Sequence, residues 1–192
     1  MEDNRLNKND DNKRLFYLND LSDYKIAKDH PDVRGWKVVD AQRKKIGEVE
    51  SLLVDIKAEK VRYLDVDVDE DILHALHDAY NKPHQDGIHE YENRKGETHM
   101  IIPIGVAKID RNAKTIIADG VNGDALRSNP LHARGAEITR DHEYEAVSSF
   151  SKNKQDTGDE KIRMKDEYFY GLDCFDDACL YEQDYRENRP KY

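Results

Sequence analysis

The segment Val61-Arg62-Tyr63-Leu64-Asp65-Val66-Asp67-Val68-Asp69 decides the fold class. Leu64, Val66 and Val68 alternate with Asp65, Asp67 and Asp69. Successive side chains leave opposite faces of a pleated backbone, so this alternation is the mark of a half-buried strand. It places the aliphatic residues on a core and the three acids on a solvent face.

Working outward, Ile46–Ile56 (IGEVESLLVDI) forms the preceding strand and Arg34–Asp40 (RGWKVVD) a shorter one before it. The polar turn Ala41–Lys45 between them has no glycine at Gln42-Arg43-Lys44, so a tight two-residue primed turn is not expected. Met100–Ile104 and Thr115–Asp119 are two further strands. Helical spacing appears in Asp71–Tyr80, with Ile72, Leu73, Leu76 and Ala79 on one face and acids at its start. A second short helix covers Asn122–Ser128, with Asp124 near its start and Pro130 as its stop. Short, closely spaced strands with polar turns predict a mainly β chain, built as a small antiparallel β-barrel. Closing the sheet would remove its exposed edges. Trp36 and the aliphatic alternation are assigned to the core, Gly35 and Gly105 to backbone turns or bulges.

The chain has 192 residues and a net charge of −10, with 37% apolar and 38% charged residues. That composition suits one modest core with polar extensions. Residues 1–14 read as a disordered arm, 15–147 as the barrel domain with an insertion at 70–98, and 148–192 as a linker and Tyr-rich tail. An acidic chain lacks the clustered Lys and Arg that grip nucleic-acid phosphate or an anionic membrane. No stretch reaches the ~20 apolar residues of a membrane-spanning helix, and residues 1–14 contain no apolar core of a secretory leader. Two cysteines, Cys174 and Cys179, fit a reducing compartment, so a cytoplasmic location is expected.

Several short motifs resemble one known family. Pro31-Asp32-Val33-Arg34-Gly35-Trp36-Lys37-Val38 and Lys45-Ile46-Gly47-Glu48-Val49 are similar to the opening hairpin of a PRC-barrel domain. Val61–Val66 resembles its third strand, Ile102-Pro103-Ile104-Gly105 its next strand and turn, and Asp119-Gly120-Val121 a late strand. Arg134-Gly135 and Ile138-Thr139-Arg140 resemble its closing segment, so the likeness covers roughly residues 20–145. The family takes its name from the H subunit of the photosynthetic reaction centre, and a similar barrel ends a bacterial ribosome maturation factor. The resemblance implies a compact barrel used for protein contacts and not for catalysis, as in stand-alone bacterial members. From residues 1–14, neither the H subunit's membrane helix nor the maturation factor's other barrel is expected here. A reaction-centre-like or ribosome-assembly role therefore stands behind a general interaction role.

The residues suggest few sites of their own. Asp69–His99 holds five of the eight histidines (His74, His77, His84, His89 and His99), with eight acids and three bases. His74 and His77 share a helix face and could bind a divalent metal with Asp78, in a neutral-imidazole form that acid would weaken. Histidines among acids could also respond to pH near neutrality. The alternative is a solvated acidic loop. Asp65-x-Asp67-x-Asp69-x-Asp71 is no calcium loop, because Glu70 and Leu76 stand where an EF-hand needs glycine and a bidentate acid. Cys174 and Cys179 lack the spacing of a redox or zinc pair. No nucleophile elbow or phosphate loop occurs. From Tyr168 to Tyr192 lie five tyrosines and two phenylalanines, a segment able to dock on a partner or to pack back on its own barrel.

The expected function is that of a non-enzymatic protein-interaction or assembly module that self-associates. No catalytic, cofactor or metal residue is assigned, and no cofactor is expected. The protein partner is unidentified, and neither nucleic acid nor direct membrane insertion is expected. The alternative is a metal-binding or pH-responsive protein using the His-rich insertion.

Overall fold

The two longest apolar runs form the central hairpin, β3 (Lys45–Asp55) and β4 (Lys60–Val68), paired antiparallel from Gly47↔Val68 to Asp55↔Lys60. The computed structural model describes residues 13–80 (backbone alone for 76–80), 96–150, 166–178 and 180. The other strands are β1 (Leu15–Tyr17), β2 (Lys37–Val39), β5 (Glu97–Pro103), β6 (Ala107–Asp110), β7 (Thr115–Ala118) and β8 (His132–Ala133). Among the described residues are the α-helices α1 (Glu70–Tyr80), α2 (Gly123–Ser128), α3 (Arg140–Phe150) and α4 (Asp166–Phe169).

The strands make one sheet in the order β6-β7-β2-β3-β4-β5-β8, with β1 beside the far half of β3. This corrects the expected closed antiparallel barrel in two ways. The sheet is mixed, because β2 and β7 pair in parallel. It is also open, because no ladder among the described residues joins β6 to β8. The end strands have four and two residues, which is little backbone for a closing ladder. Parallel pairing needs a long crossover, and everything from β3 to β6 lies between β2 and β7.

Two bulges shape the central hairpin. Val49 pairs with Val66 while Ser51 pairs with Asp65, so Glu50 is the extra residue. Leu53 pairs with Tyr63 while Val54 pairs with Val61, which makes Arg62 extra. A bulge re-aims the side chain it carries. Arg62 accordingly reaches the buried Asp55 carboxylate and stacks over the Tyr170 ring. The β2–β3 turn is not a tight primed one. Arg43 adopts φ +65°, and the Asp40 carboxylate accepts from the Gln42 and Lys44 amides. This substitutes side-chain hydrogen bonding for a turn glycine.

The sheet is buried on both faces. One face carries Val38, Leu52, Leu64, Val66 and Ile102, and Ile116 joins the same core from β7. Trp36 packs at its edge, half-buried. The other face presents Leu53, Tyr63 and Ile101, covered by Ala146 and Val147 of α3 and by Phe169, Tyr170 and Phe175. The aromatic segment after residue 165 thus packs back on the sheet, and Leu180 is fully buried in the core of the first face. Gly105 permits this approach, because a Cβ there would lie 2.6 Å from the Asp173 carbonyl oxygen. The acids of β4 therefore do not all face solvent. Asp67 is exposed, but Asp65 is 1% exposed. Alternation separates the two faces of a strand without revealing what covers either one.

Candidate functional site

Strand register assembles a polar row on the covered face. Asp67 of β4 stands opposite His99 of β5, and His99 opposite His132 of β8. Opposed residues of antiparallel strands share a face. Asp65, two residues from Asp67, completes a buried trio with the two histidines. His99 Nδ1 lies 3.2 Å and His132 Nε2 3.1 Å from Asp65 Oδ1. Beyond His99, its Nε2 is 3.8 Å from the Asp67 carboxylate. His142, from the first turn of α3, meets the His132 ring edge-on at a centroid distance of 5.2 Å.

Asp65 and His99 sustain each other's charge. Burial alone would depress the His99 imidazole, but its hydrogen bond to Asp65 and the charges of Asp65 and Asp67 hold it above its ordinary value. Burial would raise Asp65, yet the two histidines bring its carboxyl below its ordinary value. Burial and then the charge on His132 push His142 down to about 4, so it stays neutral at physiological pH. Two imidazoles sharing a buried carboxylate oxygen can exchange protons or hold a cation.

A second cluster lies on the same covered face. Tyr63 donates to Glu143 Oε2 at 2.9 Å and Tyr170 at 2.6 Å, and Arg140 lies 3.5 Å from Oε1. Burial raises the Glu143 carboxyl, against the opposing pull of Arg140 and the two phenols. Both phenols are raised by burial and by Glu143, so they remain donors. Arg14 pairs with Asp55 at 3.0 Å and with Asp166 of α4, and Arg140 also holds Asp166. These contacts clamp the C-terminal segment and the first described residues to the hairpin.

A sequence model of the PRC-barrel domain matches residues 27–125, more than half of the chain. The chain belongs to the PRC-barrel domain family. No curated protein matches it. The PRC-barrel match ends inside α2, so Asp65 and His99 lie within it, while His132, His142, Glu143 and Tyr170 lie beyond.

The residues singled out from the sequence separate in this PRC-barrel protein. His99 joins the buried trio, whereas His74 is exposed on α1. The side chains of His77 and Asp78, and all of His84 and His89, fall outside the described residues. Asp69 starts α1, accepting from the Asp71 amide and pairing with Lys45 at 2.6 Å. It therefore does not converge with Asp65. Cys174 is half-buried, and burial foremost pushes its thiol up to about 12, so it stays protonated. Cys179 lies outside the described residues. Sequence reasoning missed Asp65, His132 and Glu143, because each gains its role from a chain segment distant in sequence. The available signal was the Asp67-to-His99 register between two neighbouring strands.

One groove opens beside β1 and the β3–β4 hairpin, with a volume of about 600 Å³. Leu18, Ile26, Val54 and Val61 supply apolar lining, while Asp23, Lys25, Glu59, Lys60 and Asp177 bring charge of both signs. Tyr24 also lines it and is 38% exposed. No helix among the described residues is long and apolar enough to cross a membrane.

Proposed function

We propose that this PRC-barrel protein is a non-enzymatic interaction and assembly module that binds protein partners, first of all a second copy of itself. The groove at Tyr24 is the observation that carries this reading. Apolar lining with charged residues of both signs is the composition of a protein interface, and a partly exposed tyrosine offers contact area at low entropic cost. The clamped C-terminal segment and the two-faced core supply a rigid support beneath it. The aromatic residues from Phe169 to Phe175 support the sheet, so they are spent on the fold and the groove takes over the docking role.

Sedimentation velocity of the full chain over a range of concentrations tests this reading. A concentration-dependent dimer is expected, with dissociation favoured at least about tenfold by Ile26→Asp, which places a charge in the contact. Crosslinking in native extract provides the second arm. A monomer at all concentrations, together with no crosslinked protein that depends on Ile26, refutes the reading.

A further inference from the structure

We propose that Asp65, His99 and His132 form a binding site for a divalent transition-metal ion of the zinc class. The donor set is one carboxylate oxygen and two imidazole nitrogens, which can all lie within 4.8 Å of one another. Zinc bonds of about 2.0–2.2 Å to nitrogen and oxygen in a tetrahedron put neighbouring donors about 3.3 Å apart. The observed separations of 3.1 and 3.2 Å from the shared carboxylate oxygen lie near two of those edges, and the two ring nitrogens lie within 4.8 Å of each other. One carboxylate with two imidazoles selects zinc, cobalt, nickel or copper over calcium and magnesium, which require oxygen-rich shells.

The surroundings support the same assignment. Ligating histidines commonly present their second nitrogen to a carboxylate, which fixes the ring and raises its basicity. Asp67 stands 3.8 Å from His99 Nε2 in that outer position. Ser51, directly opposite Asp65 in the ladder, has a buried hydroxyl with no hydrogen-bond partner among the described residues. The same holds for His132 Nδ1 and His142 Nε2. Buried polar atoms without partners are uncommon and demand an explanation. Here three of them belong to the trio or its immediate neighbours. His132 lies outside the PRC-barrel match, which ends at residue 125. The site does not depend on the interaction reading.

The experiment is zinc calorimetry on the chelator-treated full chain, with cobalt absorption spectroscopy as a coordination readout. One ion per chain is expected, with the visible bands of low-coordinate cobalt. His99→Ala and His132→Ala should each weaken affinity by at least about 100-fold, and Asp67→Asn by about 10-fold, as for an outer-shell carboxylate. A His74→Ala/His77→Ala double variant should bind as the wild type does. Ring-nitrogen NMR of the wild type guards against misfolded variants, because His99 and His132 should shift on zinc addition. No binding, unshifted rings, or loss of binding in the His74/His77 variant alone overturns the assignment.

Discussion

Replacing Tyr170 with phenylalanine should expose how the C-terminal segment is held. The wild-type phenol donates to Glu143 Oε2 at 2.6 Å inside a buried cluster. A hydrogen bond to a charged group contributes about 1.5–3 kcal/mol, and the substitution removes little apolar area, so a loss near 2 kcal/mol is expected at neutral pH. With a urea slope of about 2 kcal/mol/M, the unfolding midpoint should fall by about 1 M. The loss should depend on pH. Burial, the largest influence, raises the Glu143 carboxyl above its ordinary value. A raised acid favours folding below its unfolded pKa, about 4.3, and that contribution disappears as pH rises through the folded value. Tyr170 opposes the rise, so its removal lifts the folded value further and widens the window. The variant's deficit should therefore be larger at pH 8 than at pH 4, where a protonated Glu143 makes only neutral hydrogen bonds worth about 1 kcal/mol. Urea titrations of both proteins at the two pH values provide the assay. An equal deficit at both, or one below about 0.5 kcal/mol at pH 8, would refute the reasoning.

Other substitutions probe separate parts of the account. Gly105→Ala drives a methyl into the backbone at Asp173 and Cys174. It should release the C-terminal segment and speed alkylation of the otherwise protonated Cys174, read by peptide mass spectrometry. Asn122 accepts from the Asp124 and Ala125 amides at the start of α2, so Asn122→Ala should lower stability by about 1 kcal/mol in chemical denaturation. Arg43→Gly relieves the left-handed φ of +65° in the β2–β3 turn and should raise the unfolding midpoint, by up to about 1 kcal/mol.

Much of the sheet was legible because β3 and β4 are long apolar runs and β4 alternates in sequence. The strands left unread are short: β1 has three residues, β6 four and β8 two. Such segments carry no period and exist through their pairing partners. Helix α3 escaped notice for a related reason. Its sequence, RDHEYEAVSSF, has few apolar residues, and its buried side includes Glu143. Only the covered second face of the sheet, with Tyr63 and Tyr170 as donors, makes that carboxylate tolerable there. The site trio was hidden as well. Asp65 has the local pattern of a solvent-facing acid, and its buried partners His99 and His132 come from β5 and β8, distant in sequence.

The interaction role rests on the groove, and a photo-crosslinking amino acid in place of Tyr24, expressed in the native host, tests it most directly. The account predicts a discrete crosslinked species, either a dimer of this chain or one defined protein partner, that is lost when Ile26→Asp is added. The same crosslinker at the exposed Tyr168 should not give that species. No adduct at position 24, or the same adducts from both positions, would contradict it.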